Sequence, residues 1–147
     1  MRACRRPLRS EADRLASIAA VADGTIDVIT SGHDPRGPED KRLPFADAAP
    51  GMAGAETLLA LSLNLVREGH VSINRLMTLL SANPARILGV DAGSFAPGSA
   101  ADLIFIDPDA PWIVDSTRMA ASAGNTPFDK VPVQGRARRV MKGGTFL

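Results

Sequence analysis

The sequence predicts an α/β fold class, with a helical α/β part followed by a small β part. Three observations predict it. A capped helical period runs directly into a short β-branched stretch over residues 11–31. Apolar residues then return at helical spacing between residues 55 and 89. Beyond Gly93 the chain changes to short β-like runs separated by Gly, Pro and Asp.

Ser10 followed by Asp13 has the form of a helix N-cap with an acidic first turn, and Leu15, Ile18, Ala19 and Ala22 recur at helical spacing. A helix is expected over 11–22, broken by Asp23-Gly24. The next seven residues, T-I-D-V-I-T-S, read as one strand over 25–31. Residues 32–54 are rich in Pro, Gly and charge and too long for an ordinary connection, a length that usually marks a functional or disordered loop. From Ala55, the residues Leu58, Leu59, Leu61, Ser62, Leu65 and Val66 give a broad apolar helix face that Gly69 stops. Ser72 is expected to cap a helix carrying Ile73, Leu76, Met77 and Leu80. Asn83-Pro84 then starts a separate short helix ended by Gly89. Strands are expected over 101–106, 112–114, 131–134 and 137–141. The resulting domain organisation is 1–92 and 93–147.

A chain of 147 residues can bury a real core. With 45% hydrophobic and 22% charged residues it has a globular balance, and no apolar run approaches the roughly 18 residues of a membrane span. A net charge of +1 gives no general drive toward nucleic acid. Arg2, Arg5, Arg6 and Arg9 form a basic cluster, but no separate amphipathic leader or secretory signal accompanies it. The lone Cys4 excludes an internal disulfide and a cysteine-based metal site, which makes the cytoplasm the default location.

Residues 25–31, then Gly32-His33-Asp34-Pro35, Lys41-Arg42-Leu43-Pro44-Phe45 and Gly54-Ala55-Glu56-Thr57, in that order, resemble the eighth barrel strand and its following loop in bacterial dihydroorotases of the amidohydrolase superfamily. Asn83-Pro84-Ala85 and residues 95–103 resemble the lead into the small β domain, and Asn125-Thr126-Pro127-Phe128 is similar to a motif more particular to dihydroorotases. The resemblance implies the C-terminal part of such a protein: the last piece of a (β/α)8 barrel over 1–92 and a small β segment over 93–147. It implies reversible cyclisation of carbamoyl aspartate to dihydroorotate at a zinc centre, with an aspartate after the eighth strand moving the proton.

This chain departs from that pattern where Ser/Thr-Asp-His is expected and Ser31-Gly32-His33 stands instead. Glycine can neither ligate a metal nor carry a proton. In a strand, Asp34 would sit about 6.6 Å beyond position 32, too far to substitute. The chain has two histidines, His33 and His70, while a hydrolytic zinc site usually takes three protein ligands. No catalytic residue, metal ligand or bound zinc is therefore expected from this chain alone.

Arg36, Pro50 and Gly51 correspond to substrate contacts in the resemblance. A glycine permits close backbone approach to a ring, and an arginine can grip a carboxylate in a two-pronged fork. The plainer alternatives are a simple turn and a solvated loop arginine. His70 is expected to be solvated or to cap a helix end, Trp112 to pack the β part, Glu56 to sit at the positive end of a helix, and Arg136 to Arg139 to line a solvated edge. Relatives read Asn-Pro-Pro-Leu-Arg where this chain reads Arg5-Arg6-Pro7-Leu8-Arg9, so the resemblance is taken to start at Pro7. Loss of match beside Met1 fits a truncated, frame-disrupted or wrongly started reading frame. Two functions follow as expectations: a dihydroorotase fragment inert alone, or a non-catalytic dihydroorotase-like partner of aspartate carbamoyltransferase. Apolar faces left uncovered would favour that partner or self-association.

Overall fold

A computed structural model of the chain describes residues 10–121 and 123–147. The basic cluster of Arg2, Arg5, Arg6 and Arg9, together with Cys4 and Pro7, lies outside the described residues. Helix α1 spans Glu11–Asp23 and begins as its sequence dictates. The Ser10 hydroxyl accepts from the Asp13 amide, and the Asp13 carboxylate accepts from the Ser10 amide and hydroxyl. Gly24, in the left-handed conformation at φ 94°, ends the helix.

The strand expected over 25–31 is not formed. A β-branched run becomes a strand only beside a partner, and among the described residues no ladder runs next to it. Its polar backbone is served by helices instead. The Ile29 amide donates to the Leu79 carbonyl at 3.2 Å, while Arg75 and the Asn83 side chain donate to the Ile26 and Asp27 carbonyls.

Residues 32–54 carry one short helix, α2 (Pro38–Arg42), with proline in its first turn. Lys41 Nζ donates to the Ala49 carbonyl at 2.7 Å and the Ala49 amide to the Asp40 carbonyl at 3.1 Å, folding the loop back on α2. A 3-10 turn (Ala55–Thr57) leads into α3 (Leu58–Arg67), which buries Ala60, Ser62 and Leu63. Ser72 caps α4 (Ile73–Met77) by accepting from the Arg75 amide.

The separate helix expected at Asn83 is instead continuous with α4. A π-helical turn (Thr78–Ala82) joins α4 to α5 (Asn83–Leu88), and the Asn83 amide reaches the Thr78 carbonyl. Pro84 has no N–H to offer the preceding turn, and this one-turn widening lets the chain pass it without a break. The Asn83 side chain, which was expected to cap, is buried; it donates to Asp27 and accepts from Arg86. Gly89 ends α5 in the left-handed region, as expected.

The four short strands expected after Gly93 merge into two long ones. Strand β1 (Leu103–Ile113) pairs antiparallel with β2 (Pro132–Lys142), and a two-residue β3 (Thr145–Phe146), not foreseen, pairs with the end of β2. The apparent gaps in the sequence are register shifts rather than strand ends. Pro108, Asp109 and Ala110 stand opposite Gly135 alone, a bulge that absorbs residues unable to pair regularly. Gly135 adopts φ 101°, and a Cβ there would collide with the buried Leu63 side chain. Helix α3 thus lies directly on the sheet. Leu63, Leu76, Leu79 and Val114 are the largest fully buried apolar side chains.

The arginines of β2 are engaged locally. Arg138 pairs with Asp107, and Arg136 and Arg139 lie over the rings of Trp112 and Phe146. Trp112 also donates its indole N–H to the Gly135 carbonyl at 3.0 Å. The chain is therefore α/β with a small antiparallel sheet.

Candidate functional site

The residues singled out in the sequence meet where two arms of chain lie side by side. One arm runs from Ser31 to Arg36 and the other from Pro50 to Ala55. A single parallel bridge joins His33 to Met52, and the Asp34 amide donates to the Met52 carbonyl at 2.8 Å. Gly51 takes φ 135°, and a Cβ on it would strike the Asp34 carbonyl and carboxylate. Close approach of the arms thus requires glycine at 51.

Arg36, Pro50 and Gly51 are brought together. The half-buried Arg36 guanidinium donates from Nε to the Pro50 carbonyl at 3.3 Å and from Nη2 to Asp34 Oδ2 at 3.0 Å. These donors brace the loop itself. The Arg36 amide donates to Asn125 Oδ1 at 2.8 Å, and Asn125 Nδ2 donates to the Gly51 carbonyl at 2.9 Å.

His33 is committed in a way the sequence did not suggest. Its Nδ1 accepts from the amides of Gly54 at 3.2 Å and Ala55 at 3.1 Å, at the start of the 3-10 turn leading into α3. An imidazole nitrogen that accepts two N–H groups carries no proton, so the ring's proton resides on Nε2. Gly32 precedes it at φ 58°, with open space where a side chain would project.

The zinc centre implied by the resemblance does not fit the described residues. Position 32 offers no ligand atom, His33 Nδ1 is occupied by backbone donors, and Asp34 is tied to Arg36. Among the described residues no group of three or more His, Cys, Asp or Glu is placed to hold a metal ion. His70 lies away from this loop, exposed and paired through Nε2 with Glu68 at 3.2 Å.

Two contributors were not anticipated. Asn125 comes from the other end of the chain, and only the Asn-Thr-Pro-Phe motif marked it. Glu56, read as a helix-start carboxylate, also accepts the Ala120 amide at 2.8 Å. A separate groove of about 600 Å³ lies between α3 and the sheet, lined by Leu61, Asn64, Arg67, Trp112 and Gln134 among others, and shares no residue with the loop site.

Residues 3–147 match the family model described as "Amidohydrolase family". The chain belongs to the amidohydrolase family. The match begins four residues before Pro7, so the family pattern extends further toward the N-terminus than the sequence reading placed it. Among curated amidohydrolases, the chain is 44% identical to a dihydroorotase of Geobacter sp. (strain M21) over 138 residues, 93% of this chain and 32% of the relative. It is 43% identical to a dihydroorotase of Desulforapulum autotrophicum over 141 residues, 96% of this chain and 33% of the relative. The recognition of a dihydroorotase fragment is borne out: this amidohydrolase chain spans about a third of the length of the relatives it matches.

Among solved structures, it superposes on an L-hydantoinase (dihydropyrimidinase) from Arthrobacter aurescens with a TM-score of 0.89 at 32% identity, over 97% of this chain and 33% of that one. A dihydropyrimidinase from Brevibacillus agri gives a TM-score of 0.90 at 24% identity over 97% of this chain and 32% of that one, which speaks to the fold alone. No helix among the described residues is long and apolar enough to cross a membrane.

Proposed function

We propose that this chain is a piece of a dihydroorotase-like cyclic amidohydrolase, the family reaction being interconversion of carbamoyl aspartate and dihydroorotate in pyrimidine biosynthesis, and that it is inert alone. In this reading residues 1–92 are the last part of a (β/α)8 barrel and 93–147 a segment of the small β domain. The protein is cytoplasmic, and the zinc of the family is not held by this chain alone. The observation that carries the reading is the two-arm loop, in which Arg36, Pro50 and Gly51 converge while position 32 lacks a side chain. These three residues form the substrate-facing loop, with the Gly51 backbone near the ring and Arg36 bracing the arms. Purified chain supplied with zinc and dihydroorotate is expected to show no hydrolysis above the metal-only control; sustained turnover would refute inertness.

A second reading, a non-catalytic partner of aspartate carbamoyltransferase, is favoured by one feature. Ile87, Leu88, Val90 and Phe95 expose 63, 73, 52 and 92% of their surface within nine residues of chain. Co-purification with that transferase, abolished by Leu88→Glu, is the expected result. Absence of a complex at micromolar concentrations of both proteins would remove this reading, leaving the exposed stretch to self-association or to the remainder of a longer amidohydrolase.

A further inference from the structure

The Asn-Thr-Pro-Phe motif has no assigned role in the reading above, yet its first residue makes the contacts that close the loop. Asn125 is half-buried and is the third member of the two-arm arrangement. Its Oδ1 accepts from the Arg36 amide at 2.8 Å, its Nδ2 donates to the Gly51 carbonyl at 2.9 Å, and its own carbonyl accepts from the Ala53 amide at 2.9 Å. A side-chain amide carries one acceptor and one donor head on a rigid plane, so it can satisfy an N–H of one strand and a C=O of another at once. Neither aspartate nor alanine can do both.

The surroundings hold Asn125 in place. The Ala120 amide is bonded to Glu56 at 2.8 Å, and Gly124 lies so close to the Ser116 carbonyl that a Cβ would not fit. Ala120 is thus bonded just beyond the second arm, at Glu56, and Asn125 within it, at Gly51 and Ala53. His33 pins the far end of that arm through Gly54 and Ala55, and Asn125 pins the near end at Gly51 and Ala53.

We propose that Asn125 is a positioning residue that clasps the Arg36 arm to the Gly51 arm, which sets the Asn-Thr-Pro-Phe motif of the small β part against the substrate loop. The substrate side of this statement rests on the dihydroorotase-like reading, and the clasp itself does not.

The test is amide hydrogen exchange on the full chain, wild type against Asn125→Ala and Asn125→Asp. Arg36 reports the side-chain bond directly. Asp34, bonded to Met52, and Ala53, bonded to the Asn125 main chain, keep their partners in both variants and report whether the arms stay together. In Asn125→Ala all three amides are expected to exchange about tenfold faster, with the β1–β2 ladder unchanged. In Asn125→Asp, which keeps the acceptor and sets a carboxylate against the Gly51 carbonyl, Asp34 and Ala53 quicken while Arg36 stays protected. That selective pattern decides the matter even if Asn125→Ala does not fold. Wild-type exchange at Asp34 and Ala53 in both variants would overturn the clasp. A titration with dihydroorotate, read as chemical-shift changes at Gly51 and Arg36, separates the two claims. Shifts present in wild type and lost in Asn125→Asp are expected, and equal shifts in both proteins would overturn the positioning role. No shift in wild type would instead sink the substrate-loop reading and leave the exchange result to judge the clasp.

Discussion

At residue 51 the constraint is steric as well as conformational. Its φ of 135° disfavours any L side chain, and the Asp34 carbonyl occupies the place of a Cβ. Gly51→Ala is expected to destabilise the fold by about 2 kcal/mol, the scale of an overpacked site, and to raise exchange at Asp34; a urea midpoint equal to wild type would show that the arms can separate freely. Residue 32 behaves differently. It sits at φ 58°, a conformation aspartate tolerates better than most residues, and nothing lies within 4 Å of where a Cβ would stand. Gly32→Asp, which sets there the residue that the proposed reading expects, should cost only about 1 kcal/mol, read as a small fall in melting temperature. On the proposed reading it should leave dihydroorotate hydrolysis absent, because one carboxylate does not make a metal centre. Activity gained by this single change would mean that the remaining groups of the site are present after all.

Among the elements, the helices were largely legible because their signals are local. Ser10 with Asp13, Ser72 with Arg75, and the terminating Gly24 and Gly89 act within a turn or two of their own position. What escaped the sequence depends on partners distant along the chain. Residues 25–31 have the composition of a strand but, among the described residues, no neighbouring strand to pair with. Pro108 and Pro111 look like strand ends until β2 shows them spanning a bulge. The site was half legible for the same reason. Gly51 and Arg36 stood out as residue types, whereas Asn125 and the His33 acceptor role arise only when segments 20 to 90 residues apart meet.

The sheet also carries an acid sensitivity. Asp102 is held below the usual carboxylate range by its hydrogen bond from Lys142, helped by the Gly143 amide, and Asp107 by its bond from Arg138. A carboxyl lowered in the folded state contributes stability above its unfolded value, near 4, and loses it as pH falls through the folded value. Urea midpoints should therefore drop as pH is lowered from about 5 toward 3, and less steeply in Asp102→Asn with Asp107→Asn. Parallel profiles for wild type and the double variant would assign the acid loss elsewhere.

On the scale of the whole molecule, the chain has a buried core and a braced loop but occupies a third of the length of its dihydroorotase relatives. The two expected regions share packing: Leu63 rests on Gly135, Arg67 donates to the Pro108 carbonyl, and Asn125 reaches the Arg36 arm. In the loop, His33 Nδ1 accepts two backbone amides and the Asp34 carboxylate accepts from Arg36, so neither group is set out for a metal. Equilibrium dialysis of the purified chain against zinc tests this most directly. Less than about 0.1 zinc per chain is predicted at a free concentration one-tenth of a weak, micromolar Kd. One zinc held per chain under those conditions, and lost on substitution of His33, would contradict the account.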